Sequence, residues 1–240
     1  MTAAPLVHLA YDWRGASERL VRIGDTGPAI LFLAPLFEEA NRTRHFMIEM
    51  MRGLAVRGFS CYLPDLPGTL ESGTESATLI RDDWKGSIAA VTAAIGRPLL
   101  TAALRGGCLL DGAASPVARW RLAPQDGATL ARELVRIRMA AAREDGQVVT
   151  AAQLGAELGS QEFIVAGYSI SPELGTEIKA AVIDSSDAVR TVRLEGDIQP
   201  ADARIAAQPL WRRSEPDHDP VFCQMLVDDI SDWAASCGAS

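Results

Sequence analysis

Short, continuous runs of apolar residues alternate along the chain with longer stretches in which apolar residues recur every three or four positions. The three clearest runs span residues 29–34, 59–64 and 98–104, and weaker ones span 117–122 and 190–196. A run that is apolar at nearly every position is typical of a strand buried on both faces of a parallel sheet. The sequence therefore predicts a mostly parallel sheet built from these five strands.

The stretches between the runs have helical periodicity. A first helix is predicted to begin at Asn41, acting as its N-cap, and to end at Gly58. Ser171 followed by Pro172 is the usual start of another helix. Two further segments carry an apolar stripe of the same kind, 79–95 and 222–233, and 129–143 is predicted as a helix rich in arginine and alanine. Strands alternating with helices imply βαβ units, and hence an α/β fold with helices on both faces of the sheet.

The chain has 240 residues, of which 48% are hydrophobic and 22% charged. These are ordinary globular values, and the length fits one domain. We expect a single domain over 1–240, with residues 124–175 forming a small helical lid or insert over the ligand-binding edge of the sheet. The net charge of −8, without a dense stripe of lysine and arginine, argues against binding to nucleic acid or to an anionic membrane surface.

The four cysteines are scattered and form no Cys-x-x-Cys pair. The zinc and redox spacings are thus absent, and we expect no metal or other cofactor and a reducing, cytoplasmic compartment. Residues 1–11 lack the positively charged start of a signal peptide. No apolar run approaches the roughly 18 residues that a membrane-spanning helix needs.

The third strand is followed at once by a tight glycine turn. The order strand, helix, strand, glycine turn, helix is that of an α/β-hydrolase core, in which the nucleophile lies in a Gly-x-Ser-x-Gly turn. Residues 103–107 read Ala-Leu-Arg-Gly-Gly. The small residues fit this geometry, but Arg105 stands at the nucleophile position. A guanidinium stays protonated and cannot act as a nucleophile.

Two other parts of a Ser-His-Asp triad occur in the expected chain order. Asp197 follows a late strand, and His218 precedes the last helix. Each has an ordinary alternative, since Asp197 could be a turn residue and His218 a solvated surface histidine. At the ligand edge of the sheet Arg105 needs a carboxylate or an anion, and Glu39 and Asp65 are the leading candidate partners.

Polar residues also follow the first two strands. The segment after the first strand is dense in charge and occupies the place of an oxyanion-hole loop, although it equally resembles a solvated helix start with acids near the helix dipole. Asp65 begins a tight loop after the second strand, which could equally be a plain turn. The candidate binding residues are Arg105, Glu38, Glu39, Asn41, Arg44 and Asp65.

Two residues are candidates to replace the missing nucleophile. Ser169 lies in Gly-Tyr-Ser-Ile-Ser, which imitates half of the nucleophile motif, but no closing glycine follows. A turn or capping serine is the simpler interpretation. Cys108, three residues past Arg105, is expected to be a small buried filler. Neither residue completes a triad.

Several segments resemble a known family. Residues 37–44, Phe-Glu-Glu-Ala-Asn-Arg-Thr-Arg, are similar to the signature segment of the exosortase A system-associated hydrolases of the second type. Four other segments agree with this family: 63–66, 104–105, 134–138 and 166–174. The similarity spans roughly residues 28–235. Residues 68–72 depart from the family, whose loop is richer in glycine there.

The resemblance implies an α/β-hydrolase fold, an arginine at the elbow, and a possible protein partner in an envelope-polysaccharide or protein-sorting system. Two functional classes follow. The first is a weakly active or non-catalytic protein that binds a small-molecule or acyl ligand, which Arg105 favours. The second is an active hydrolase of an ester or thioester that uses an unconventional nucleophile.

Overall fold

The computed structural model describes residues 4–97, 99–185, 188–213 and 216–238. Pro98, the first residue of the third predicted strand, lies outside them. The described residues form these strands: β1 (Leu6–Trp13), β2 (Ala16–Ile23), β3 (Ala29–Leu33), β4 (Ser60–Pro64), β5 (Leu99–Leu104), β6 (Ala118–Leu122), β7 (Phe163–Val165), β8 (Tyr168–Ile170), β9 (Val189–Leu194) and β10 (Ala203–Ile205). They form these α-helices: α1 (Glu38–Val56), α2 (Arg81–Ile95), α3 (Gly127–Glu144), α4 (Ala151–Glu157), α5 (Pro172–Ala180) and α6 (Pro220–Ser236).

Eight strands make one sheet in the order β1-β2-β4-β3-β5-β6-β9-β10. The strands from β4 to β10 in this order are parallel, as the apolar runs predicted. The five predicted strands are adjacent at its centre. The antiparallel β1–β2 hairpin, which the sequence did not predict, is added next to β4. Because the central strands are parallel, their carboxyl ends share one edge, where ligands bind in sheets of this kind.

Alternate residues of the central strands face two separate cores. On one face Ile30 and Phe32 pack with the side chains of α1 and α6. On the other face Leu31 and Leu33 pack with α2, α3 and α5. All five residues of β3 are buried, which explains why its sequence is apolar at every position.

Helix α1 begins earlier than predicted. It starts at Glu38, and the residue before it, Phe37, has the unusual φ of 58°. The Phe37 ring is 3% exposed and packs edge-on against Trp84 and Tyr168, with centroids 5.7 and 5.5 Å away. This contact fixes the turn at residue 37, so Asn41 lies exposed in the first turns of α1 and is not its N-cap.

The segment between β6 and β9 consists of α3, α4, the β7–β8 hairpin and α5. It includes the region predicted as an insert and continues to Ala180. Ser171 caps α5 as predicted, since its Oγ accepts a hydrogen bond from the Leu174 N–H at 3.0 Å and Pro172 takes the first helical position. Apolar residues of this segment pack on the same face of the sheet as α2. None of the helices in the described ranges is both long and apolar enough to span a bilayer.

Candidate functional site

The turn after β5 has the strained geometry of an elbow. Arg105 has φ 53°, in the left-handed region that side chains other than glycine rarely adopt, and a single 3-10 turn follows over Arg105–Leu109. A Cβ atom on Gly107 would lie 2.4 Å from the carbonyl oxygen of Ala34. Glycine is therefore needed because the turn packs directly on the end of β3. The elbow presents residue 105 at the carboxyl edge of the sheet.

Two carboxylates hold the Arg105 guanidinium. Its Nε and Nη2 donate to the two carboxylate oxygens of Glu39, both at 3.1 Å, and Nη2 also donates to both oxygens of Glu133 at 2.9 Å. The three side chains are only 9%, 12% and 15% exposed. The guanidinium carbon lies 5.0 Å from the ring centroid of Trp211, within cation–π range. The expected Arg105–Glu39 pair is thus present. We refer to Arg105, Glu39 and Glu133 as the Arg105 cluster.

The cluster places two carboxylates on one cation. Burial raises the pKa of Glu39 above its ordinary value, and the negative charge of the neighbouring Glu133 raises it further. Together these two effects outweigh Arg105, which lowers the pKa of Glu39. Burial acts to lower the pKa of Arg105, but the two carboxylates raise it overall. The guanidinium therefore stays charged. It can stabilise negative charge, but it can neither accept a proton nor attack a carbonyl.

Asp65 does not bind Arg105, although the sequence made it a candidate. It accepts hydrogen bonds from Arg44, at 2.5 Å from Nη1 to Oδ1 and 3.4 Å from Nη2 to Oδ2. Asp65 is 1% exposed, and burial raises its pKa in spite of Arg44. Two other candidates, in the first turns of α1, are also engaged elsewhere or exposed: Glu38 pairs with Arg42 at 3.3 Å, and Asn41 faces solvent.

Asp197 and His218 are not joined in the described structure. Asp197 accepts hydrogen bonds from Arg193 at 2.7 Å and from the Gln199 N–H at 3.0 Å. Partial burial acts to raise the pKa of Asp197, but these hydrogen bonds outweigh burial and lower the pKa below its ordinary value. The His218 ring lies against those of His45 and Phe46, with centroids 5.2 and 6.1 Å away, and its buried Nδ1 has no hydrogen-bond partner among the described residues.

The serine and cysteine considered as alternative nucleophiles have structural partners. Ser169 Oγ donates to Glu162. Cys108 is buried, its thiol lies 3.4 Å from the carbonyl oxygen of Ala103, and burial raises its pKa. A thiol held neutral in this way is a poor nucleophile. Within the ranges that the structure describes, no group of three His, Cys, Asp or Glu residues is placed to bind a metal.

A cavity of about 260 Å³ opens beside the Arg105 cluster. Its walls come from the start of α1, from α3 and from the segment around Trp211, and they include both glutamates of the cluster. Arg136 and Arg212 also line it and are exposed. The cavity can therefore hold a small polar or anionic ligand against a fixed arrangement of charges.

Sequence reasoning missed Glu133 and Trp211. A signal for Glu133 was present, because it lies between Leu130, Leu134 and Ile137 on one face of α3, where an isolated carboxylate among apolar residues needs a buried cation. Trp211 gave no such signal. It lies in the loop before α6, where sequence periodicity does not predict which residues come together.

Comparison with solved structures identifies the fold. The esterase Est1E from Butyrivibrio proteoclasticus, solved with ferulic acid bound, aligns over 97% of this chain and 100% of its own at 11% identity and a TM-score of 0.64. Mouse alpha/beta hydrolase domain-containing protein 10 aligns over 97% and 99% at 15% identity and a TM-score of 0.56. An alignment with epoxide hydrolase VrEH1 from Vigna radiata spans only 49% of this chain and 40% of that one, at 20% identity and a TM-score of 0.42.

No protein-family model and no curated protein matches this sequence. Full-length alignments at such low identity show the fold and do not carry an activity. The parallel sheet, the elbow after β5 and these alignments agree, and the chain has the α/β-hydrolase fold.

Proposed function

We propose that this chain binds a ligand at the α/β-hydrolase site without turning it over as a serine hydrolase does. The observation that carries the proposal is Arg105. It occupies the strained elbow position, and its guanidinium is engaged by Glu39, Glu133 and the Trp211 ring. A triad needs a nucleophile, a base and an orienting acid within hydrogen-bond reach of one another. Replacing the nucleophile by a paired cation removes the group that would attack.

The ligand that we propose is a small molecule with an anionic or polar acyl group. It would occupy the cavity of about 260 Å³ next to the Arg105 cluster. Arg136 and Arg212 line this cavity and have no carboxylate within ion-pair distance in the described part of the chain. Free guanidinium groups are good partners for carboxylate or phosphate groups because they can donate two parallel hydrogen bonds.

The proposed cellular setting rests on the sequence resemblance to the exosortase-associated hydrolases. The segment 37–44 that carries this resemblance contains Glu39, one of the two partners of Arg105. We therefore propose that the arginine elbow and its glutamate are a shared feature of that family. The partner would belong to an envelope-polysaccharide or protein-sorting system, and the chain would act in the cytoplasm.

Steady-state hydrolysis of short-chain aryl esters tests the proposal. We expect the wild-type rate of hydrolysis to match that of His218→Ala and to lie far below that of a serine hydrolase. Binding and oxyanion stabilisation alone accelerate hydrolysis only about 10³–10⁴-fold over the reaction in water. His45→Ala is the matched control, because it removes the imidazole packed against His218. Robust wild-type turnover that His218→Ala abolishes and His45→Ala preserves would overturn the proposal and favour the unconventional hydrolase.

A further inference from the structure

A second and larger concavity lies on the other side of α3. Its volume is about 490 Å³, which is within the range of small-molecule pockets, and its walls come from α3, α4 and α5. The floor is apolar and includes Ala131, Val135, Met139 and Leu158. Of these, Ala131, Val135 and Leu158 are buried in the core of the domain. We call this concavity the α3–α4 groove.

The groove is separate from the Arg105 site because α3 lies between them. Glu133 and Leu134 line the Arg105 cavity, whereas Ala131 and Val135 line the groove. Within the described ranges, Arg136 is the one residue common to both linings. A ligand in the groove would thus be bound whether or not the Arg105 site is catalytic.

Three cations surround the apolar floor. Arg132 and Arg136 lie one turn apart on α3, and Lys179 lies on α5. Arg132 donates to Thr129 Oγ1 at 2.8 Å and Lys179 to the Gly155 carbonyl at 2.9 Å, which are neutral acceptors. Among the residues that the structure describes, the lining contains no aspartate or glutamate, and none of their carboxylates lies within ion-pair distance of these cations. In a chain of net charge −8 this is a marked local excess of positive charge.

An apolar floor with a cationic rim matches one chemical class of ligand. We propose that the α3–α4 groove binds a free long-chain fatty acid, with the acyl chain on the floor and the carboxylate paired with Arg132 and Lys179. Burial of methylene groups supplies the apolar contribution, and the arginines bind the head group in a bidentate way.

Fluorescence titration with cis-parinaric acid tests the proposal. We expect saturable binding that palmitate displaces and that hexadecanol, which has the same chain without a carboxylate, displaces at least tenfold less well. The double variant Arg132→Gln/Lys179→Gln should bind at least tenfold more weakly. Arg138→Gln, which removes an arginine of α3 outside the groove lining, is the matched control and should bind as the wild type does.

A steric variant tests the floor independently of charge. A Cβ on Gly155 would meet no atom within 4 Å, so Gly155→Phe places a ring in the groove without a backbone clash. We expect a melting temperature that is not lowered and at least tenfold weaker binding. Equal displacement by palmitate and hexadecanol, unaltered binding by Gly155→Phe, or binding only to phosphatidylglycerol vesicles and not to free palmitate would each overturn the proposal.

Discussion

At the scale of single residues, the Arg105 cluster balances one buried cation against two carboxylates. The partners come from α1 and α3, so the cluster joins two helices to the elbow. Removing one member of such a buried group leaves the others uncompensated, which is far more costly than the group's net contribution to stability.

Arg105→Ala should therefore lower the free energy of unfolding by about 3–5 kcal/mol, because Glu39 and Glu133 would face each other without a cation. Urea denaturation measures this change. The triple variant Arg105→Ala/Glu39→Gln/Glu133→Gln should recover part of the loss, since it removes both orphaned charges. A urea midpoint of Arg105→Ala equal to that of the wild type would show that the cluster is not formed.

The raised pKa of Glu39 predicts a pH-dependent effect of Glu39→Gln. In the wild type, the folded state holds the proton of the Glu39 carboxyl more tightly than the unfolded chain does. In the unfolded chain this carboxyl has a pKa near 4.5. The stability that Glu39 contributes is thus fully present below pH 4.5 and is lost as the pH rises through the raised folded pKa. Glutamine carries no titrating proton, so Glu39→Gln should gain stability relative to the wild type as the pH rises from 4.5 to 7.5.

Urea midpoints of both proteins at several pH values check this sign. Glu38→Gln is the matched control, because it removes a carboxylate from the same helical turn but one that pairs with Arg42. A difference between Glu39→Gln and the wild type that is constant or falls with pH would contradict the account of the cluster.

Only part of the site could be predicted from single residues. Arg105 and Glu39 follow two neighbouring strands, so parallel strand order was enough to bring them to one edge. Strand order made Asp65 an equally good candidate, but Asp65 pairs with Arg44, two turns into α1, instead. Which of two carboxylates meets a cation depends on side-chain packing, which strand order does not determine.

At the scale of elements, the elbow depends on the close approach of its turn to β3. A Cβ on Gly107 would meet the carbonyl oxygens of Ala34 and Leu33 at 2.4 and 2.7 Å, and backbone atoms cannot yield as a flexible side chain can. Gly107→Ala should therefore lower the free energy of unfolding by about 1–3 kcal/mol, as overpacking does.

Thermal unfolding of Gly107→Ala beside Gly155→Ala measures this effect. The second variant lies in helix α4 with open space around its Cβ, so it should be neutral or stabilising by about 0.5–1 kcal/mol. Equal melting temperatures for the two variants would show that the turn does not pack tightly on β3.

Elements with an unbroken apolar run were predictable, and those with one exposed face were less so. Strands β3, β4 and β5 are buried throughout and match the predicted runs to within one residue, apart from Pro98, which lies outside the described residues. Strand β1 is half exposed, and its residues mix polar and apolar types. Its pairing with β2 depends on the Arg14–Gly15 turn, where both residues have positive φ, and sequence periodicity gave little sign of it.

At the scale of the whole molecule, a common fold carries an unusual elbow residue. Est1E and the mouse protein align with this chain from end to end, yet fold similarity leaves the chemistry open. Here the chemistry depends on where the segment between β6 and β9 places α3, because this helix supplies Glu133 to Arg105 on one side and a wall of the α3–α4 groove on the other. The sheet was predictable from local sequence, whereas that placement results from long-range packing.

Intact-mass analysis after incubation with a fluorophosphonate probe shows whether the chain holds a serine nucleophile, because the probe modifies only a serine that a base has activated. An ordinary serine hydrolase treated in parallel shows that the probe is active. With Arg105 at the elbow we expect an unchanged protein mass, including no adduct at Ser169 or Ser171. A stoichiometric single adduct, lost in His218→Ala, would contradict it and would identify a working nucleophile.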